Sequence, residues 1–539
     1  MVFISLIIIV IFTLHEVTPE RNNRDRETFN ECPENCTCMA YEMNCVNFTS
    51  IPPSLPIYTK KLVFQTPRFS LPIQVFQDYT KLEYLMIIDG HIQTISTRAF
   101  ANAPLLLHLH LENNIIRIMR QDAFDGLGNL LILKLLNNNI NKITANLFGE
   151  MNSLSWLEIE SASLKLNLES GSFQGLDNLW MLSLGNNNLG SLENPEYLGG
   201  MPLLEQLKLH SNKLTYIVDA AFTYVRNLKF LDLSYNSLDN LRPEIFQPKL
   251  PLLETLKLRY NPLNSVPSTI FKLLPSLKNL DLQFTGIHQI DATAFQSAPN
   301  LLSLSLNDNY GIEAVPSSAL GVLRHLKVLH LCGNHITTIK SQAFVTMTNL
   351  THMRITNTDL KNIEIDAFLG LSKLQLLELS NNQLNRLPEE VFVPLSITKE
   401  TAILLSHNPW SCDCVLKGFV ERYHDEYNDT ATLKGMFGDM ECKSPPNLTG
   451  QSVWDISTDN MTCSDDAILP SAANTETSHS LKITIVICSI IGCVIILGVV
   501  FMILVYSYRR CSKKHEHDGL SVSDNLRIPM RLWDDSEVL

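Results

Sequence analysis

The chain has 539 residues, a length that ordinary globular packing would divide into about three or four domains. A formal net charge of −13, with no basic face, excludes a nucleic-acid partner. No nucleophile–base–orienter set and no phosphate loop occur, so neither an enzyme nor a bound cofactor is expected.

In chain order, residues 1–14 (MVFISLIIIVIFTL) are almost uninterruptedly apolar and then turn polar. That run is too short to span a bilayer and fits a secretory signal peptide over 1–18, although no Lys or Arg precedes it. Residues 28–58 follow with Cys32, Cys36, Cys38 and Cys45. Residues 409–463, introduced by Asn408-Pro409-Trp410, hold Cys412, Cys414, Cys442 and Cys463. Zinc and disulfides are the two readings of such clusters, and secretion favours disulfides.

Between the clusters, residues 59–408 repeat one frame. In Leu228 to Phe246 (LKFLDLSYNSLDNLRPEIF), Leu228, Leu231, Leu233, Asn236, Leu238, Leu241 and Phe246 stand at offsets 0, 3, 5, 8, 10, 13 and 18. The frame also starts at Leu82, Leu106, Leu130, Leu154, Leu179, Leu204, Leu253, Leu277, Leu301, Leu326, Leu350 and Leu374, in steps of 24 or 25. A period of that size overrides the globular prior and predicts a stacked solenoid. Offsets 3 and 5 alternate with variable residues, as in a half-buried strand. Asn at offset 8 has an amide suited to satisfying buried backbone at the bend. Gly90, Ala162, Thr285 and Thr358 replace it, so those four bends are expected to be irregular. The Phe at offset 18 is expected to form an aromatic spine, with Tyr197 and Leu320 standing in twice.

Beyond the second cysteine cluster, 464–481 reads as a flexible stalk. Residues 482–508, apolar from Ile483 to Tyr508, are long enough for a transmembrane helix, and Arg509, Arg510, Lys513 and Lys514 behind them set 509–539 in the cytoplasm. The expected location is the plasma membrane, single-pass type I. Glu537-Val538-Leu539 resembles a ligand for a PDZ domain. Sequons stand at Asn35, Asn47, Asn349, Asn428, Asn447 and Asn460.

The repeat frame, with a cysteine cluster at each end, resembles the extracellular leucine-rich-repeat single-pass proteins of connectin, trophoblast-glycoprotein and Toll-like ectodomain type, here without a Toll-type signalling domain. The resemblance implies an α/β leucine-rich-repeat solenoid, a curved horseshoe with one parallel sheet on its concave face. It also implies cysteine caps paired Cys32–Cys38, Cys36–Cys45, Cys412–Cys442 and Cys414–Cys463. The implied function is a receptor or adhesion protein binding an extracellular protein ligand or co-receptor. An innate-immune recognition protein for microbial or lipid-bearing ligands is the alternative.

Offsets 2, 4, 6 and 7 are expected to face the concave side. Near the N-terminus they carry Tyr84, Met86, Ile88, Ile132, Leu136, Trp156 and Met181, either an exposed interaction patch or a set of side chains covering one another. In mid-solenoid, Tyr235, Tyr260 and Phe284 share offset 7, with Phe230 and Arg259 nearby, and make the favoured contact site. Lys208, Asp232, Lys257 and Asp281 form a charge ladder at offset 4. His108, His110 and Glu112 alternate along one strand, more simply a polar stripe than a metal site. Cys332 is left over from the caps.

Overall fold

The computed structural model of this protein describes residues 32–462, apart from 40, 51–58, 68–70, 73–75, 77–78, 162–164, 267, 399 and 428. The expected signal peptide, stalk, membrane span, tail, PDZ ligand, Cys463 and Asn428 lie outside the described residues. Among those described, no helix is long and apolar enough to cross a membrane.

The alternation at offsets 2 to 6 becomes one short strand per coil. Leu85, Leu109, Leu133, Leu157 and Leu182 meet in register across successive strands, each fully buried. The register runs on to Ile403 and builds a 17-stranded sheet. It is parallel except at its N-terminal end, where Cys36–Met39 and Glu42–Val46 form an antiparallel hairpin. The rest of each coil is turn, two-residue strand, short 3-10 helix or, at Ser317–Leu320, a four-residue α-helix, so the body is a β-solenoid. A coil of 24 or 25 residues that must also return its Phe to the core leaves no length for a full helix. The helices of eight or more residues among the described residues, Cys414–Tyr427 and Thr430–Phe437, belong to the C-terminal cap.

The aromatic spine forms as expected and begins one coil earlier than the frame suggested, at Phe76. Phe76 stacks on Phe100 at 5.5 Å, and Phe100, Phe124, Phe148 and Phe173 follow at 5.7–6.4 Å between ring centroids. The last coils repeat it, and Phe392 hands over edge-on to Phe419 of the cap at 6.0 Å.

The asparagines at offset 8 reach backwards. Asn212 donates to the carbonyl oxygens of Leu184 (2.7 Å) and Leu209 (3.0 Å), and its Oδ1 accepts from the amide of Asn187 at 3.0 Å. Asn236, Asn261, Asn309, Asn334, Asn382 and Asn408 bond the preceding coil in the same way. Two of the four exceptional bends are regular, against expectation. The Thr285 and Thr358 hydroxyls meet Oδ1 of the next coil's Asn309 and Asn382, at 3.0 and 2.6 Å. At Gly90 the bend is irregular as expected: an added Cβ would lie 2.5 Å from Asn114 Oδ1, and that buried oxygen finds no donor among the described residues. Ala162 lies outside the described residues, and Ser161 before it turns its hydroxyl onto the Asn138 carbonyl.

Both caps carry the implied cross-links: Cys32–Cys38, Cys36–Cys45 and Cys412–Cys442. Cys414 is disulfide-bonded as well. The C-terminal cap buries Trp410, Phe419, Phe437 and Trp454 over the last coil. The Trp410 indole N–H donates to the Leu405 carbonyl at 3.2 Å. Closing an open apolar end in this way is what a solenoid requires for solubility.

Candidate functional site

The N-terminal patch is closed at Ile132 and Met181 and half-open at Tyr84, Met86, Ile88, Leu136 and Trp156. Ile132 lies between His108 and Trp156 in register and is only 7% exposed, and Met181, between Trp156 and Gln206, is 2% exposed. Adjacent strands are about 4.8 Å apart, close enough for larger neighbours to roof over an aliphatic side chain. Trp156 is half-buried, with Trp180 edge-on at 5.9 Å and the Lys134 ammonium 5.3 Å above its ring. Tyr84 and Met86 are half-buried three strands away, the Tyr84 hydroxyl lying 3.2 Å from His110 Nδ1. These three residues therefore form no continuous exposed surface with one another or with the mid-solenoid aromatics.

His110 has a measurable consequence. Burial, with Lys134 and His108 beside it, pushes its imidazole from 6.5 down to about 4, and burial lowers His108 too. A base depressed in the folded state binds its proton more readily when unfolded. Stability from this group is therefore complete above pH 6.5 and drains away as pH falls towards 4. Burial raises the Glu112 carboxyl and so acts in the opposite sense. The thermal midpoint is expected to drop across that window, and His110→Gln to flatten the slope, as scanning calorimetry at stepped pH would show.

At mid-solenoid the backbone itself singles out a site. In most coils the residue at offset 7 closes the strand in the left-handed conformation: Thr66, Asp89, Asn113, Asn137, Asn186, Ser211, Asp308, Gly333, Asn357, Asn381 and His407 have φ between 52° and 66°, whereas Ser161 does not adopt it. Nearly all are residues that tolerate this region through local hydrogen bonding or lack of a Cβ. Asn113 and Asn137 also extend a side-chain ladder from Asp89, with steps of 3.0 and 2.8 Å. Tyr235, Tyr260 and Phe284 occupy the same position in three successive coils, with φ of 56°, 56° and 51°. A bulky residue there costs about 1–3 kcal/mol, and such strain is concentrated at functional sites. The three rings stack nearly parallel, 4.4 and 4.2 Å between centroids, with Tyr235 43% and Tyr260 39% exposed. A stack this regular, held on strained backbone and still facing solvent, is unlike any other group at this position.

Arg259 precedes Tyr260 and lays its guanidinium 5.2 Å over the Tyr235 ring. Phe230, expected alongside the stack, instead starts its strand at the opposite end from Tyr235 and lies under the Lys257 ammonium at 5.2 Å. The charge ladder is in register, but none of its neighbouring pairs closes to a salt bridge among the described residues. Its carboxylates turn to their own chain: Asp232 accepts from the Ser234 amide at 2.9 Å, Asp281 from the Gln283 amide at 3.2 Å. An acid two residues before the bend finds a fixed N–H closer than a flexible lysine. Burial raises the Asp281 carboxyl above its usual range, opposed by the Gln283 amide, Arg259 and Lys257.

Cys332 is a half-buried free thiol on the sheet face, and His330 and His352 lie diagonally across adjacent strands. Asn35, Asn47, Asn447 and Asn460 are exposed. Asn349 is half-buried, its amide donating to the Arg324 carbonyl at 2.9 Å. Reading the sequence for aromatics located the stack but passed over Ser234 and the left-handed backbone. The run of Asn, Asp, Ser and Gly at offset 7 in the other coils was the signal for the latter.

The leucine rich repeat family model matches residues 104–164, 202–263, 251–310, 299–360 and 348–409, so these coils are leucine-rich repeats. Among solved structures, the chain is similar to a Drosophila Toll–Spatzle complex, at 18% identity and a TM-score of 0.56, over 81% of this chain and 74% of that one. It is also similar to a leucine-rich-repeat protein of Leptospira interrogans, at 24% identity and a TM-score of 0.51, over 72% and 88% of the two chains. No curated protein matches the chain by sequence.

Proposed function

We propose that this leucine-rich-repeat chain is a plasma-membrane receptor or adhesion protein. Its N-terminal side faces outward, a single span anchors it, and a protein ligand docks on the sheet face at Tyr235, Tyr260 and Phe284. The observation that carries this reading is the aromatic stack on left-handed backbone, a conformation that stability alone would not select. Buried aromatic anchors beside an arginine are the usual composition of an interface hot spot. The disulfide caps support an oxidising, extracellular setting. The Toll solenoid of similar fold was solved with Spatzle, a precedent for a partner held by this architecture. Signals pass through recruited partners, among them a PDZ protein at Glu537-Val538-Leu539. The alternative reading, microbial or lipid-bearing ligands, relies on an apolar patch around Trp156, which the burial of Ile132 and Met181 narrows.

The test is proximity labelling from the full-length chain on living cells, followed by mass spectrometry. One membrane or secreted protein captured by the native chain is expected to be lost when Tyr235, Tyr260 and Phe284 are all changed to Asn. Capture that is indifferent to that change would remove the stack from the reading.

A further inference from the structure

Around the stack, hydrogen-bond donors are in surplus. Arg259 Nε is sealed from solvent and has no acceptor, and no hydrogen bond or salt bridge engages the rest of the guanidinium among the described residues. One strand away in the same column, Ser234 is 1% exposed and its hydroxyl is also without a partner. The nearby carboxylates do not answer either group, because Asp232 and Asp281 are engaged by backbone amides at 2.9 and 3.2 Å. The sealed Nε and the Ser234 hydroxyl lie beyond a ligand's reach, so an acceptor from outside can meet only the outer nitrogens of the half-buried Arg259 guanidinium, which have no partner among the described residues.

The rings add to this polarity. Tyr260 has a neighbouring ring on each face at 4.4 and 4.2 Å, so it offers solvent its edge rather than its face. Ring edges carry the positive end of the aromatic quadrupole, and the phenol hydroxyls of Tyr235 and Tyr260 make no hydrogen bond among the described residues. Positive edges, two phenolic donors and a planar guanidinium converge on one strip.

We infer that the site receives an acidic side chain of the protein ligand, whose carboxylate takes the donors of Arg259 while a neighbouring aromatic residue of the ligand packs along the Tyr235–Tyr260–Phe284 edge. This rests on the receptor reading above and names the chemistry its ligand must bring. A guanidinium already stacked on a ring is held in plane for paired bonds to a carboxylate. Arg259 then acts as the selector and the aromatic stack as the bed.

Saturation-transfer NMR on the full-length chain in nanodiscs tests this, with acetyl-Phe-Asp-Phe-amide as probe and acetyl-Phe-Asn-Phe-amide as its neutral match. The aspartyl peptide is expected to bind about ten-fold more tightly. Arg259→Gln is expected to erase that difference, and Arg259→Lys to keep part of it. Equal binding of the two peptides, no binding of either, or a preference that survives Arg259→Gln overturns the proposal. If the preference fails while capture on cells still depends on the aromatic stack, the receptor reading stands and only the carboxylate assignment falls.

Discussion

A chain carrying Tyr235→Asn, Tyr260→Asn and Phe284→Asn is expected to fold as well as the native one and to bind nothing at this face. Two stacked pairs are lost, worth about 0.5–1.5 kcal/mol each. Against this, three bulky residues leave left-handed backbone, where each costs about 1–3 kcal/mol, for a residue that tolerates it. The relieved strain offsets or exceeds the lost stacking, so the unfolding free energy is not expected to fall by more than about 2 kcal/mol. Asn also reproduces what Asn113 and Asn137 do at the same place in other coils. Binding should fall far more, since central aromatic anchors each contribute about 2 kcal/mol or more. Denaturant unfolding and partner capture, measured on the same preparation, separate the two effects. A large loss of stability would mean that the stack is a structural element and would withdraw its functional assignment.

The opposite outcome is expected at Asn309, which is fully buried and serves four backbone groups. Its amide donates to the carbonyl oxygens of Leu282 (2.8 Å) and Leu306 (3.0 Å). Its Oδ1 accepts from the amides of Thr285 and Ile287 at 3.0 and 3.1 Å, and from the Thr285 hydroxyl. Asn309→Leu keeps the volume and strands all of these at about 1–3 kcal/mol per buried group, so a loss of roughly 4 kcal/mol or more is expected. The damage should be local, because each coil contacts mainly its neighbours. Hydrogen exchange should show lost protection around Phe284 and Asn309 while the cap helix Cys414–Tyr427 stays protected. The exposed Gln296, changed to Ala, should alter stability by less than about 0.5 kcal/mol. Uniform loss of protection along the whole chain would contradict the local account.

The contrast between these two positions shows which features of the molecule were legible in its sequence. Periodicity reports what every coil must do, so the strands, the buried leucines, the Phe spine and the asparagine bends could all be read from spacing. It also placed the aromatics at offset 7. What spacing does not report is lateral cover. Ile132 and Met181 occupy outward positions, yet the wider residues on either side conceal them. Nor does it rank competing partners: Asp232 and Asp281 took backbone amides in preference to Lys208 and Lys257. The unengaged Arg259 and Ser234 depend on the same competition, which only three-dimensional placement resolves. Two bends written off for lacking Asn were rescued by the following coil, an effect no single copy of the frame contains.

That rescue gives the solenoid a direction in time. Asn212 completes the bend of Asn187, Asn236 that of Asn212, Asn309 that of Thr285 and Asn408 that of the coil starting at Leu374, through the Leu384 amide. Help always comes from the residue made later. As the polypeptide emerges from the ribosome, the newest coil therefore waits with open amides until its successor arrives, and after the last coil Asn408 ends the wait. The C-terminal cap, with Asn408 and Trp410 at its threshold, is where nascent growth becomes a finished protein.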